Sequence, residues 1–338
     1  MKEKKVSAIV VNWNGIKFLP DCLSSLFNQT YKNLEVIVVD CASQDESVSF
    51  IKTNYPRTKV IELKQDFGPP YAINLACREA QGEYILILNN DVYLPENLVA
   101  EMVAELEKDE NCVINPAELN WEGEYQRAGC TDPWISSQLY KIFKPSGFMP
   151  SYPSTACCLV VKEVLQKIPL NENLFMYEDT EWGWHLHLKG VKLKVMLNNY
   201  FLHKCEGTIG NSPKSALING RTPLATMCIC FKFSTLCILL PLFMIYYYLH
   251  PKKLGYLLIK GRLVPFFKGF FSFFRRLPLF LQDRKRVQKG RIIGDLELFK
   301  IIVGSIDFQK KAKANWGILN SKLEPKNSVK ELWVTVQT

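Results

Sequence analysis

No Cys-x-x-Cys pair occurs in this chain, and its 11 cysteines are an odd set at irregular intervals. Neither Cys157-Cys158 nor Cys228-x-Cys230 has the spacing of zinc ligands, so a zinc module is not indicated. Cys22, Cys77 and Cys112 sit among apolar neighbours and read as small core residues in a reduced, cytosolic setting. No Gly-x-Gly-x-x-Gly follows the first apolar run, which argues against a dinucleotide-binding dehydrogenase, and a P-loop is also missing. The apolar run 6–11, behind a basic N-terminus, is too short for a signal peptide. Internal repeats and low-complexity tracts are absent. The uncharged run 233–249 lies at the lower limit for crossing a bilayer alone.

What remains is a globular profile of 338 residues, 48% hydrophobic and 22% charged. The net charge of +9 is concentrated in residues 251–300, which hold 13 Lys and Arg against 3 Asp and Glu. Within that segment 263–274 is apolar and aromatic, followed by Arg275-Arg276 and Arg284-Lys285-Arg286. Rings interleaved with cations suit the membrane interface. A helical hairpin buried against the rest of the chain is the alternative. Nucleic acid is not expected, because long apolar runs serve no backbone-tracking groove.

Four apolar runs, 6–11, 34–39, 59–63 and 84–88, read as strands. Helical spacing separates them at 18–27, 47–55 and from Pro69 to about residue 80, and a further helix runs from after Pro95 to about 108. This alternation predicts an α/β fold, a mostly parallel sheet flanked by helices. Beyond it, 112–114 is apolar and 115–153 reads as irregular loops. Residues 155–161 are apolar and small, 163–168 and 182–188 helical, 192–197 a strand, and 200–203 closes the globular part.

The strands end in polar clusters: Asn12-Trp13-Asn14-Gly15, Asp40 to Glu46, and Asn89-Asn90-Asp91. Ligands of open α/β sheets bind at the carboxyl ends of strands. There Trp13 can stack on a nucleobase, Asp40 can accept from a base or ribose, and Asp91 can hold a divalent cation. Taken singly, Trp13 also fits a core position, Asp40 a helix cap and Asn89-Asn90-Asp91 a polar turn.

The strings Val6-Ser7-Ala8-Ile9-Val10-Val11-Asn12-Trp13-Asn14-Gly15, Val38-Val39-Asp40-x-x-Ser43-x-Asp45 and Leu88-Asn89-Asn90-Asp91 resemble family 2 glycosyltransferases of the GT-A fold. The rhamnosyltransferase-like members that build bacterial cell-surface polysaccharides are the nearest. Glu178-Asp179-Thr180-Glu181-Trp182 is similar to that family's late acidic motif, and His203 with Gly207 to its histidine-glycine feature. The resemblance covers roughly residues 5–210, and the basic, apolar segment after it resembles the family's membrane-associating tail.

The resemblance implies three segments: a GT-A domain at 1–220, membrane-associating helices at 221–291 and a C-terminal tail at 292–338. It implies that Val11, Asn12, Trp13, Asp40, Asp45, Gly68, Asn74, Asn89 and Asn90 serve the donor. Asp91, completed by His203, would hold Mg²⁺ or Mn²⁺. Asp179 would be the general base, with Glu178, Glu181 and Trp182 on the acceptor side. The expected activity is inverting transfer of a sugar from a dTDP-rhamnose or UDP-hexose type donor. Its acceptor would be a glycan, lipid-linked, at the cytoplasmic face of the membrane. Departures from the family pattern are Cys41 beside Asp40, the rigid Pro69-Pro70, and His185 and His187 where arginines are common. They motivate the alternative of a non-catalytic, glycosyltransferase-like scaffold subunit. A nucleotidyltransferase on a similar sheet ranks last, for want of a triphosphate loop.

Overall fold

The apolar runs form strands because each is covered on both faces. In the computed structural model, which describes residues 3–130, 150–175, 177–205 and 212–322, β1 (Val6–Asn12), β2 (Leu34–Asp40), β3 (Lys59–Glu62) and β4 (Tyr84–Asn89) are joined by α1 (Leu19–Phe27), α2 (Ser47–Asn54) and α3 (Pro69–Glu79). Val6, Ala8 and Val10 of β1 pack with Leu19 and Leu23 of α1. Ile9 faces the other way, into a core with Ala72 and Ile73 of α3. This is the period-2 alternation of a strand buried on both sides. Pro69 and Pro70 occupy the first turn of α3, where a helix has no use for the missing N–H groups.

A two-residue strand β5 (Val92–Tyr93) and helix α4 (Leu98–Leu106) follow, then β6 (Cys112–Leu119) and β7 (Tyr125–Ala128). Next come β8 (Cys157–Val161), α5 (Lys162–Lys167), α6 (Glu178–Leu188) and β9 (Lys192–His203). The nine-stranded sheet runs β3-β2-β1-β4-β8-β6-β9-β5, with β7 paired to β6. The strands β1 to β4 are parallel, but β8 is antiparallel to both β4 and β6. The pairs β5–β9 and β6–β7 are antiparallel too. A mostly parallel sheet therefore holds for the first half of the fold only. A central strand covered on both faces has the same apolar signature in either direction.

Two expectations are corrected here. The first is the loop assigned from residue 115. Instead β6 continues to Leu119, with Asn115 and Glu118 only 1% exposed. These residues are polar because they bond inside: the Asn115 amide donates to the carbonyls of Ser154 and Cys157. The second is the split at 198–199. A single strand β9 runs through it, with its register against β6 shifting between Pro116 and Ala117. Of the predicted loop, 131–149 lies outside the described residues, as does Gly207.

The remaining chain is helical: α7 (Pro213–Cys230), α8 (Phe233–Phe243) running into a π turn (Met244–Tyr248), α9 (Pro251–Ile259), α10 (Leu263–Gln288) and α11 (Asp295–Lys322). Part of the expected tail is thus helix, and 323–338 lies outside the described residues. Helices α7 and α10 touch backbone to backbone. A Cβ on Gly220 would lie 1.9 Å from the Phe266 carbonyl oxygen, and one on Gly269 would lie 1.9 Å from that of Leu217. Trp184 and Leu188 of α6 share one core with Phe231, Phe266 and Phe273, so this layer is built onto the α/β domain. No single described helix is long and apolar enough to cross a membrane; α8 with its π turn and α9 form one bent pair that passes by length and composition.

Candidate active site

Parallel pairing of β1, β2 and β4 brings the ends of three strands to one edge of the sheet, the place where such sheets bind ligands. A cleft of about 480 Å³ opens there. Of the residues singled out in the sequence, Val11, Trp13, Asn89, Asn90, Asp91, Glu178 and His203 line it.

Beneath the lining lies a polar floor. Asn12 donates to Asp40 at 2.8 Å and accepts from the Asn90 amide at 2.8 Å. The Ser43 hydroxyl donates to Asp40 at 2.7 Å and accepts from the Asn14 N–H at 2.8 Å. Gly15 is required: a Cβ there would fall 2.1 Å from the Asn12 and Asn90 side chains. Asp40, expected at the donor base, is only 2% exposed, with its carboxylate committed to Asn12 and Ser43. It holds the floor. Asp45, expected to serve the donor, accepts from the N–H groups of Ile16 and Ser47 and fixes the loop after β1.

The pairing of Val92 with His203 places His203 beside Asp91. Its Nε2 lies 3.1 Å from Asp91 Oδ1, and its Nδ1 lies 2.9 Å from Glu118 Oε1. Arg127 reaches Glu118 with two hydrogen bonds of 2.7 and 2.8 Å. Burial works against the imidazolium, but the bonds to Asp91, Cys205 and Glu118 win and raise His203 to about 11. Burial likewise opposes ionisation of Glu118, and His203 and Arg127 overcome it to hold the carboxyl down at about 2. Glu118, His203 and Cys205 bring ligand-type atoms within 4.8 Å of one another. On the Nε2 side of the imidazole stands Asp91, which lines the cleft, whereas Glu118 on the Nδ1 side does not. A carboxylate oxygen and an imidazole nitrogen around one proton fit a divalent cation, which would take that proton's place.

The first turn of α6 supplies the second acidic group. Tyr177 enters it at φ 61°, and three acids, Glu178, Asp179 and Glu181, gather at the helix N-terminus, where its dipole favours them. Glu178 lines the cleft. Asp179 is half-buried and accepts from the Thr180 N–H at 2.7 Å. Burial, then the charge of Asp179, pushes Glu178 well above the carboxylate range. Burial pushes Asp179 up less far, because the Thr180 N–H and Arg127 pull it back.

Several expected site residues lie elsewhere. Asn74 clips α3 to Leu170, donating to its carbonyl and accepting from its N–H, and is not at the cleft. Gly68, at φ 89°, packs against Phe175, whose ring a Cβ would meet at 2.7 Å. Glu181 is fully buried with neither oxygen bonded; burial raises it to about 8. Trp182 is a core residue whose indole donates to the Ile168 carbonyl. His185 and His187 are buried, and burial lowers them to about 3 and 4, so both are neutral at pH 7 and grip no diphosphate.

The cleft's cations were not anticipated: Arg127 from β7 and Lys214 from the first turn of α7 both line it. Lys214 Nζ stands 4.3 Å from the Phe175 ring centroid and 5.8 Å from that of Trp13. The signal for one of them was present: an acid, Glu118, inside an otherwise apolar strand calls for a buried partner. Backbone strain also gathers here. The non-glycine residues at positive φ among the described residues are Asn14, Ala42, Tyr177 and Cys205, each lining the cleft or next to a residue that does. Such strain concentrates at functional sites.

Residues 7–167 match the family described as Glycosyl transferase family 2. Glycosyltransferase GlyG of Streptococcus pneumoniae serotype 4 is 32% identical over 115 residues, which cover 32% of this chain and only 38% of that relative's length. The solved structure of GalNAc-T7 with UDP, GalNAc and Mn²⁺ superposes with a TM-score of 0.54 at 17% identity, over 67% of this chain and 48% of that one. The mannosyltransferase PcManGT from Pyrobaculum calidifontis, with GDP-Man and Mn²⁺, superposes with a TM-score of 0.51 at 15% identity, over 91% of this chain and 88% of that one. The structural likenesses establish the fold, a mixed α/β, GT-A-like domain.

Proposed function

Because residues 7–167 match the family described as Glycosyl transferase family 2, we propose that this chain transfers a sugar, with inversion, from a nucleotide-diphosphate donor to a hydroxyl of a glycan acceptor. The observation that carries the reading is one cleft lined by Asp91, His203 and Glu178, with Asp179 next to Glu178 in the first turn of α6. Trp13 stacks on the donor base beside Val11, above the floor made by Asn12, Asp40 and Asn90. Arg127 and Lys214 meet the diphosphate. Asp91 and His203 would hold Mn²⁺ or Mg²⁺, which supplies charge neutralisation for the departing diphosphate. Asp179 takes the acceptor proton, and protonated Glu178 donates a hydrogen bond to the acceptor.

Stacking and diphosphate contacts do not choose among sugars, so the donor reading stays at the UDP-hexose or dTDP-rhamnose type. The scaffold alternative loses one of its motives, since Arg127 and Lys214 line the cleft with the cations that His185 and His187 do not supply. We further infer that α8 to α10 rest on the cytoplasmic face of the membrane and bring a lipid-linked acceptor to the cleft. Supporting this, Phe233, Ile238, Leu258, Ile259 and Phe271 are between 65% and 82% exposed, the last three within the segment 251–300 that holds 13 Lys and Arg.

A panel of UDP-, dTDP- and GDP-sugars with Mn²⁺ tests the activity. One donor should raise Tm in a concentration-dependent way and be hydrolysed slowly without acceptor. A chain that neither binds nor turns over any of them is not this enzyme. Vesicles containing anionic lipid should retain the chain and release it as salt rises; neutral vesicles should retain less.

A further inference from the structure

Glu118 has no part in the transfer just described, yet Arg127, Ser154 and His203 all bond to it. It is 1% exposed on a strand whose other side chains are nearly all apolar. The parallel register of β6 and β9 sets Glu118 opposite Phe201, and the antiparallel register of β5 and β9 sets Val92 opposite His203. The imidazole therefore hangs between two carboxylates, Asp91 Oδ1 at 3.1 Å from Nε2 and Glu118 Oε1 at 2.9 Å from Nδ1.

Glu118 cannot drift. Arg127 Nε donates to its Oε2 at 2.7 Å and Arg127 Nη2 to its Oε1 at 2.8 Å. The Ser154 hydroxyl adds a third bond at 3.3 Å. A bidentate guanidinium fixes the carboxylate plane as well as its position. An ionised carboxylate only accepts hydrogen bonds, so the nitrogen facing it carries the proton. Glu118 is not itself a wall of the cleft, whereas Asn89, Asp91 and His203 are. Its oxygens already serve Arg127, and a cation beside them would stand against the guanidinium.

We propose that Glu118 is a positioning residue for His203: it accepts the Nδ1–H, fixes the ring, and so presents the Nε2 lone pair to a divalent cation shared with Asp91. Carboxylates behind metal-bound histidines work in this way in other proteins. The inference rests on the donor-site reading of the cleft and adds to it the route Arg127–Glu118–His203.

The test uses the full chain, with UDP as the probe nucleotide and Mn²⁺ titrated by loss of its free-ion EPR signal. With UDP held at saturation, Glu118→Gln should weaken Mn²⁺ uptake about 10–100-fold. Glu118→Gln combined with His203→Ala should bind Mn²⁺ no worse than His203→Ala alone, since one residue acts through the other. Additive losses, or wild-type uptake by Glu118→Gln, overturn the proposal. Should that variant not fold, the wild-type chain with Mg²⁺ and UDP still decides: with 4 histidines in the chain, ¹⁵N-histidine NMR can read the tautomer of His203. Nδ1–H is expected and Nε2–H overturns the inference. A wild-type chain that takes up no Mn²⁺ with UDP sinks instead the metal reading of the cleft.

Discussion

At the ends of β1, β2, β4 and β6, side chains are held by one another: Asn12 by Asp40 and Asn90, Asp40 by Ser43, Glu118 by Arg127 and His203. On α8 to α10 large apolar side chains face outward, with Phe233 at 75% and Ile259 at 82% exposure. A fixed polar lattice recognises a particular molecule, because each donor and acceptor demands its counterpart in place. An apolar, basic face is non-directional and suits a surface. Helix α6 joins the two: its first turn faces the cleft, while Trp184 and Leu188 belong to the core of the helical layer.

The comparison can be broken at its chemical end first. Asp179→Asn should lower kcat by about 10²–10⁴-fold with donor binding kept, whereas Glu178→Gln should cost less. The reverse order in a steady-state assay would move the base by one residue. Wild-type kcat/KM should fall on the acid side of its profile through a value above the usual Asp figure near 4, because the base must be ionised and burial raises Asp179.

Next in size is Trp13→Ala. Loss of stacking should cost about 1–3 kcal/mol of nucleotide binding, readable by calorimetry with UDP. An unchanged Kd would return Trp13 to the core.

The helical layer is tested by Gly269→Ala, which drives a methyl toward the Leu217 carbonyl at the α7–α10 crossing. Overpacking of this kind costs about 1–3 kcal/mol. Because α6 shares that core, calorimetry should show one transition at lower Tm; two transitions would separate the layers.

The smallest effect lies at the boundary. Burial holds Glu181 at about 8 in the folded chain, against about 4.3 unfolded. The folded state thus binds the extra proton between these values, and stability falls as pH rises through that window. Glu181→Gln should flatten that fall and raise Tm near pH 8. A variant with the wild-type slope would place the dependence elsewhere.

How much was legible follows from burial. The strands β1, β2 and β4 could be read because a strand covered on both faces needs an unbroken apolar run, and Trp13 and Asp91 because those runs stop abruptly. β6 was cut short because Asn115 and Glu118 look like loop residues until their partners, Cys157 and Ser154 or Arg127 and His203, come close in space. Asn74, Glu181 and Trp182 carried motif positions but fold into packing contacts. Lys214 had no local signal as a cleft residue, and the signal for Arg127 lay in its partner Glu118.

By itself the sequence determined the α/β core, the strand-end clusters and the basic, apolar C-terminal segment, since periodicity and composition are properties of neighbours along the chain. Only the tertiary structure decided that β8 enters antiparallel, that His203 stands between Asp91 and Glu118, and that α6 serves two regions at once. Those depend on strand registers between residues tens of positions apart, and a register fixed by packing leaves no mark on either strand alone.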